Sequence, residues 1–165
     1  MTNIRAKKIF LLFLVLFLIV LFLFLTANKT ENNGKNGMLG DKNMPERWSV
    51  IIKDTRISVD IADTPEKRTQ GLSGRTVLGE NEGMFFVFDA PGRFSFWMKD
   101  MNFPIDIIWI DDNFKIVDFT KNALPESFPT TFEPRTLALF VLETVAGWAD
   151  KNGIKMGDKV LFSRQ

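Results

Sequence analysis

The sequence predicts a mainly β domain of about eight short strands and two short helices, a sandwich or partly closed barrel, preceded by one N-terminal transmembrane helix. Three observations carry this. A run of 17 residues, 9–25, contains only Ile, Phe, Leu and Val. A polar stretch rich in Asn, Gly and Lys follows it. From Trp48 onward, short β-branched and aromatic runs recur at near-even spacing with turn residues between them.

The first element is the apolar run, which holds five of the chain's 17 phenylalanines. Arg5, Lys7 and Lys8 precede it, and Thr26 and Ala27 extend it mildly. At about 1.5 Å per residue it spans roughly 26–29 Å, close to the hydrocarbon thickness of a bilayer. It is apolar all round, so no face is reserved for a protein core. Residues 9–27 are therefore expected to be an uncleaved anchor, with the lipid bilayer as partner. A cleavable signal competes with that reading. However, the run exceeds the usual apolar region, and Leu25-Thr26-Ala27-Asn28 is a poor cleavage site. A buried helix in a soluble fold would need protein on every side. The basic residues crowd before the run, which places residues 1–8 in the cytoplasm as a tail and the rest outside the cell membrane. Residues 28–47 are too polar to offset their ordering entropy and read as a flexible linker.

Residues 48–165 form the expected extracytoplasmic β domain. Strands are predicted at 50–53, 57–61, 83–88, 94–99, 105–110, 114–120, 136–143 and 159–162. Asp89-Ala90-Pro91-Gly92, Asn102-Phe103-Pro104 and Asp111-Asp112-Asn113 read as turns. Thr64 can cap a helix with Pro65 at its first position and Glu66 in its first turn. A second helix is expected at 145–152, ended by Gly153 in a left-handed cap with Ile154 packing behind it. No internal repeat is present.

Charge and missing residue types narrow the chemistry. The chain carries 21 Lys+Arg against 20 Asp+Glu, but residues 48–165 alone carry 14 and 17, a net of −3. No basic stripe forms there, so nucleic acid is not an expected partner. There is no cysteine and no histidine. Disulfides, thiolate nucleophiles, Ser-His-Asp triads and imidazole metal ligands are thereby excluded. Any catalysis must come from carboxylates, Lys, Arg or hydroxyls. Gly71-Leu72-Ser73-Gly74 lacks the Gly-Lys-Ser/Thr ending of a phosphate loop, and Asp111-Asp112-Asn113 lacks calcium-loop spacing. No cofactor or metal is expected.

Several phrases occur in a telling order. They are Ala62-Asp63-Thr64-Pro65-Glu66-Lys67-Arg68, Gly71-Leu72-Ser73-Gly74-Arg75 and Glu82-Gly83-Met84-Phe85-Phe86-Val87-Phe88. Phe96-Trp97-Met98-Lys99 follows, then Pro104-Ile105-Asp106-Ile107-Ile108-Trp109-Ile110-Asp111. Val141-Leu142-Glu143, Ala146-Gly147 and Gly153-Ile154-Lys155-Met156-Gly157-Asp158 complete the set. Over roughly residues 50–163 the chain resembles the domain-of-unknown-function family numbered 192, a prokaryotic family often exported or membrane-tethered. The resemblance implies a jelly-roll-like sandwich with small helices and no established reaction. Two departures stand out. Asp100 replaces the Asn that usually follows Phe-Trp-Met-Lys. The segment before Val-Leu-Glu lacks the usual Ser and Tyr, so a ligand contact through those hydroxyls is in doubt here.

Five residues are candidate ligand contacts: Arg75, Trp97, Lys99, Asp106 and Glu143. In a strand at 94–99, Ser95, Trp97 and Lys99 share one face, opposite Phe94, Phe96 and Met98. A Trp-Lys groove and plain core packing with a snorkelled lysine both fit. Asp106 lies in a strand apolar on both faces, so it needs donors or a cation, with Lys99 and Arg75 the natural partners. It is either part of an ion-paired pocket or a structural carboxylate. Glu143 could join Asp106 as a hydrolase pair, which requires about 5–9.5 Å between carboxyls. Alternatively it accepts backbone bonds or favours the start of the second helix. Arg75 could grip an anionic group or tie its loop to the sheet. The leading expectation is a tethered binding module for a small polar or saccharide-like ligand or an envelope partner. A carboxylate-dependent hydrolase of envelope glycans and a structural or assembly factor without a pocket are the alternatives.

Overall fold

A computed structural model describes residues 48–164. The expected tail (1–8), anchor (9–27) and linker (28–47) lie outside the described residues. Among the described residues no helix is long and apolar enough to cross a membrane.

Nine strands form. They are β1 (Trp48–Ile52), β2 (Thr55–Ala62), β3 (Glu82–Gly92), β4 (Phe96–Trp97), β5 (Ile105–Ile110), β6 (Ile116–Ala123), β7 (Thr131–Phe132), β8 (Ala138–Val145) and β9 (Val160–Arg164). Seven make one sheet in the order β6-β5-β8-β3-β2-β1-β9, and β4 pairs with β7 in a small second sheet. The domain is mainly β with two short helices, as expected, but it is neither a jelly roll nor a closed barrel. Strands β2 and β3 run parallel, with Ser58 opposite Glu82 and Ala62 opposite Phe86. A jelly roll is antiparallel throughout. The parallel pair exists because α1 (Pro65–Gln70) and residues 71–81 carry the chain back across the sheet before β3 begins. The starts of the edge strands β6 and β9 are joined by a bridge between Lys115 and Lys159 and by backbone hydrogen bonds of Ile116 and Val160 around it, but no ladder runs along them to close the sheet.

Helix α1 starts as its sequence dictates. Thr64 accepts from Lys67 N at 3.3 Å, and Pro65 takes the first position. Gly71, at φ 50°, ends it. Helix α2 (Trp148–Lys151) is shorter than predicted because β8 continues to Val145. Gly153 closes it at φ 60°, and Ile154 N reaches back to Ala149 O at 2.9 Å. Ile154 packs in the core behind it, as anticipated.

The centre of the long sheet is buried on both faces. Along β5, Ile108 and Ile110 belong to one apolar cluster, while Ile105, Ile107 and Trp109 belong to another. This is the period-two alternation of a strand. The first cluster is capped by Trp148 and Ala149 of α2. Trp148 Nε1 is fully buried and has no hydrogen-bond partner among the described residues. The second cluster lies under Leu72, Leu78 and Met98, with Phe96 of β4 and Phe132 of β7 packed against it.

Strand β3 approaches β8 closely at Gly83, where an added Cβ would lie 2.6 Å from the backbone oxygen of Glu143. Gly83→Ala is therefore expected to destabilise the domain by roughly 1–3 kcal/mol, the usual cost of overpacking. Urea unfolding monitored by tryptophan fluorescence measures it. An unchanged midpoint would show that β3 and β8 are not held at this spacing.

Candidate functional site

Glu143 sits in β8 at the centre of the sheet. It lies opposite Met84 of β3 and Ile107 of β5, and all three share the second face. Its residue exposure is only 5%. Among the described residues no hydrogen-bond donor reaches its carboxyl. Burial without donors disfavours the charged form, and the pKa rises to about 8, with the Arg75 charge pulling weakly the other way. At neutral pH Glu143 is thus a buried, protonated acid.

It lines a cavity of about 390 Å³. The walls are Phe86 and Phe88 of β3, Phe94, Phe96, Trp97, Leu72 and Met101, with Pro65, Arg68 and Thr69 from α1 and the hydroxyls of Ser73 and Ser95. This mix of rings and a few polar groups is typical of small-ligand sites. The rings are fixed against one another. Phe88 stacks on Phe94, and Phe86 meets Phe96 edge-on at 4.9 Å. A bulge opens the rim: Val87 pairs with Phe140 and Gly92 with Ala138, so residues 88–91 lie opposite Leu139 alone. The segment Asp89-Ala90-Pro91-Gly92, read above as a turn, is this bulge within a continuing strand.

Trp97 is 49% exposed and lines the same cavity, with its ring edge-on to Phe128 at 6.1 Å. Core packing is therefore not its role. Lys99 lines an adjoining groove with Trp97, Gln70 and Asp100, and its ammonium makes no ion pair among the described residues. Arg75 does not line the cavity. It pairs with Asp60 of β2 at 2.6 Å, and its carbonyl accepts from Asn102 Nδ2 at 2.8 Å. The arginine ties its loop to the sheet and reaches Glu143 only through its charge.

Asp106 is fully buried on the opposite face, because it precedes Ile107, the residue that faces Glu143. Its carboxylate accepts from Asn122 N at 2.9 Å and Ala149 N at 3.0 Å. Asn122 stands at φ 54° in a bulge of β6, and Ala149 lies in the first turn of α2. Asp106 thus fixes a bulge and a helix start, replacing the cap that Gly147 cannot supply. The structure brings Glu143, Trp97 and Lys99 to one side of the sheet and leaves Asp106 on the other. Among the described residues no cluster of carboxylates could hold a metal ion.

Sequence reasoning missed the ring walls and one clamp. Alternation alone places Phe86 and Phe88 on one face and Phe94 and Phe96 on another strip, but not that the strips face each other. The clamp is Asp118, which accepts from Arg135 N at 2.7 Å, from Nη2 at 2.6 Å and from Nε. Those bonds hold its carboxyl down at about 2. They fasten the segment before β8 to β6.

A family model described as DUF192, uncharacterized ACR, matches residues 48–162. Two solved structures are similar in fold. One, from Sinorhizobium meliloti 1021 and described as a candidate transcription regulator, has 29% identity and a TM-score of 0.65, covering 71% of this chain and 92% of its own. The other, a protein of unknown function from Novosphingobium aromaticivorans DSM 12444, has 31% identity and a TM-score of 0.64, covering 74% and 89%. No curated protein matches the chain significantly.

The Glu143 carboxyl makes stability depend on pH in a defined direction. Its folded pKa of about 8 exceeds the ordinary 4.5, so across that window the native state keeps a proton that the unfolded chain has lost. Stability should fall as pH rises from about 5 to 8, by on the order of 3 kcal/mol, and level off above. The chain has no histidine, the side chain that ordinarily titrates in this window. Glu143→Gln should flatten the slope in urea midpoints measured at each pH, and equal slopes in both proteins would contradict the assignment. Asp106→Ala should cost about 3 kcal/mol at every pH, because it strands two buried N–H groups. A loss under 1 kcal/mol would remove its structural role.

Proposed function

The chain belongs to the uncharacterised family DUF192, and we propose that its domain is a binding module taking a small ligand in the cavity over Glu143. One observation carries the reading. A carboxyl buried in the middle of a sheet, with no hydrogen-bond donor, faces an aromatic-lined cavity of ligand size. Such a group costs stability and has no structural partner to justify it. Trp97 and Lys99, at the mouth and in the adjoining groove, supply a ring and a free cation for the exposed part of the ligand. Arg75 holds the neighbouring loop. Residues 9–27 supply the tether, supported by the 17-residue apolar run and the basic residues before it.

A hydrolase using Asp106 and Glu143 has less support, since the two lie on opposite faces of the sheet. The description of the Sinorhizobium protein as a regulator does not carry over either, because this domain is net acidic without a basic stripe.

A thermal-shift screen of polar metabolites against the full chain in neutral detergent tests the proposal. A true ligand at about 100 times its Kd should add close to 2.7 kcal/mol. Trp97→Ala and Glu143→Gln should each weaken its binding at least about tenfold, a loss of about 1.4 kcal/mol. Asp112→Ala, on a distant hairpin, should not. Hits that bind both cavity variants as tightly as the parent would overturn the reading.

A further inference from the structure

The hydroxyl hydrogens around the cavity are already committed. Thr69 Oγ1 donates to Pro65 O at 2.8 Å, Ser73 Oγ to Lys99 O at 2.8 Å and Ser95 Oγ to Glu133 Oε1 at 2.6 Å. Carbonyls and carboxylates only accept, so these directions are forced. Each hydroxyl keeps lone pairs for a guest. Arg68 is partly committed: its Nη1 donates to Asp63 O at 3.0 Å and Val87 O at 2.7 Å, Nη2 stands 3.8 Å from Asp89, and its guanidinium lies 5.3 Å over the Phe88 ring. Glu143 adds a carboxyl that no donor reaches. Apart from the Glu143 O–H and the rest of the Arg68 guanidinium, the polar capacity left to the cavity is that of acceptors, and its walls are rings with electron-rich faces.

Resting on the reading of this cavity as the ligand site, we propose that it takes an organic ammonium cation. The N–H groups of the guest donate to Glu143 and to hydroxyl lone pairs, and its carbon body packs among the rings. A neutral acceptor would find only the Glu143 O–H and the rest of the Arg68 guanidinium, and an anion would meet the Glu143 carboxyl. The proton balance is simple. At neutral pH the Glu143 O–H bond breaks as the cation arrives, the proton passes to solvent, and the carboxylate pairs with N⁺–H. The charged group bearing on Glu143 is Arg75, from the loop after α1; Arg68, from α1, lines the same cavity, and Lys99 lies in the adjoining groove. Arg75 and Arg68 each already face a carboxylate, Asp60 at 2.6 Å and Asp89 at 3.8 Å respectively. The flanking Met84 and Ile107 are uncharged.

Three probes of one shape separate the possibilities: benzylammonium, benzyl alcohol and benzoate. They are titrated into the full chain in neutral detergent at pH 7, following the indole N–H resonance of Trp97, assigned by its loss in Trp97→Phe. The expected result is that benzylammonium shifts this resonance and binds at least about tenfold tighter than the other two. Glu143→Gln should erase the preference. Should that variant not fold, calorimetry of the parent in phosphate and in Tris should still show release of close to one proton per benzylammonium bound. Benzyl alcohol or benzoate binding as tightly, with the same Trp97 shift, or binding of benzylammonium without proton release, would overturn the cation assignment and leave the cavity as a ligand site. No Trp97 response to any probe would overturn both.

Discussion

Strands β3, β8 and β5 are covered on both faces, so each polar side chain they carry must be satisfied within the protein or stand open to a cavity. Two buried carboxylates fall in this region, one residue out of phase. Asp106, opposite Thr144, turns to the α2 face and meets two backbone N–H groups. Glu143, opposite Ile107, turns to the other face and meets none. The same alternation that builds the core thus makes one acid structural and leaves the other facing the cavity.

The cover on the second face explains why a cavity exists there. It is pieced together from α1, the loop after it, the two-residue pair β4–β7 and the bulged end of β3, rather than from a continuous second sheet. Short pieces cannot interdigitate as evenly as two long sheets. The pieces are nonetheless pinned. Arg68 ties α1 to Val87, Arg75 ties its loop to Asp60, and Arg135 ties the segment before β8 to Asp118. For Glu143, desolvation outweighs the Arg75 attraction because Arg75 is already paired with Asp60 and stands away from the cavity. The net result is a raised pKa rather than a buried ion pair.

Local signals in the sequence reported local structure well. The period-two runs located the long strands, and Thr64-Pro65 and Gly153-Ile154 marked a helix start and a helix end through their side-chain and backbone geometry. The alternation of residues 94–99 put Trp97 and Lys99 on one face but left groove and core packing open; both side chains are exposed, and only Phe96 and Trp97 pair as a strand. What was illegible is register. Asp106 and Glu143 each sat on a readable face of its own strand, but their relative phase follows from the pairing of Ile107 with Glu143, a contact between distant segments. Strand β7 left no trace because two residues carry no period. Pro91-Gly92 carried the same residue types whether it formed a turn or a bulge, so composition could not tell them apart.

The account stands on Glu143 being neutral at physiological pH because it is buried without a donor. The direct measurement is the carboxyl ¹³C shift of Glu143 followed by NMR through a pH titration of the full chain, assigned by its loss in Glu143→Gln. A midpoint near 8 is the predicted result. A midpoint near the ordinary 4.5 would mean that donors or water satisfy the group, and the cavity would lose the feature that marks it as a site.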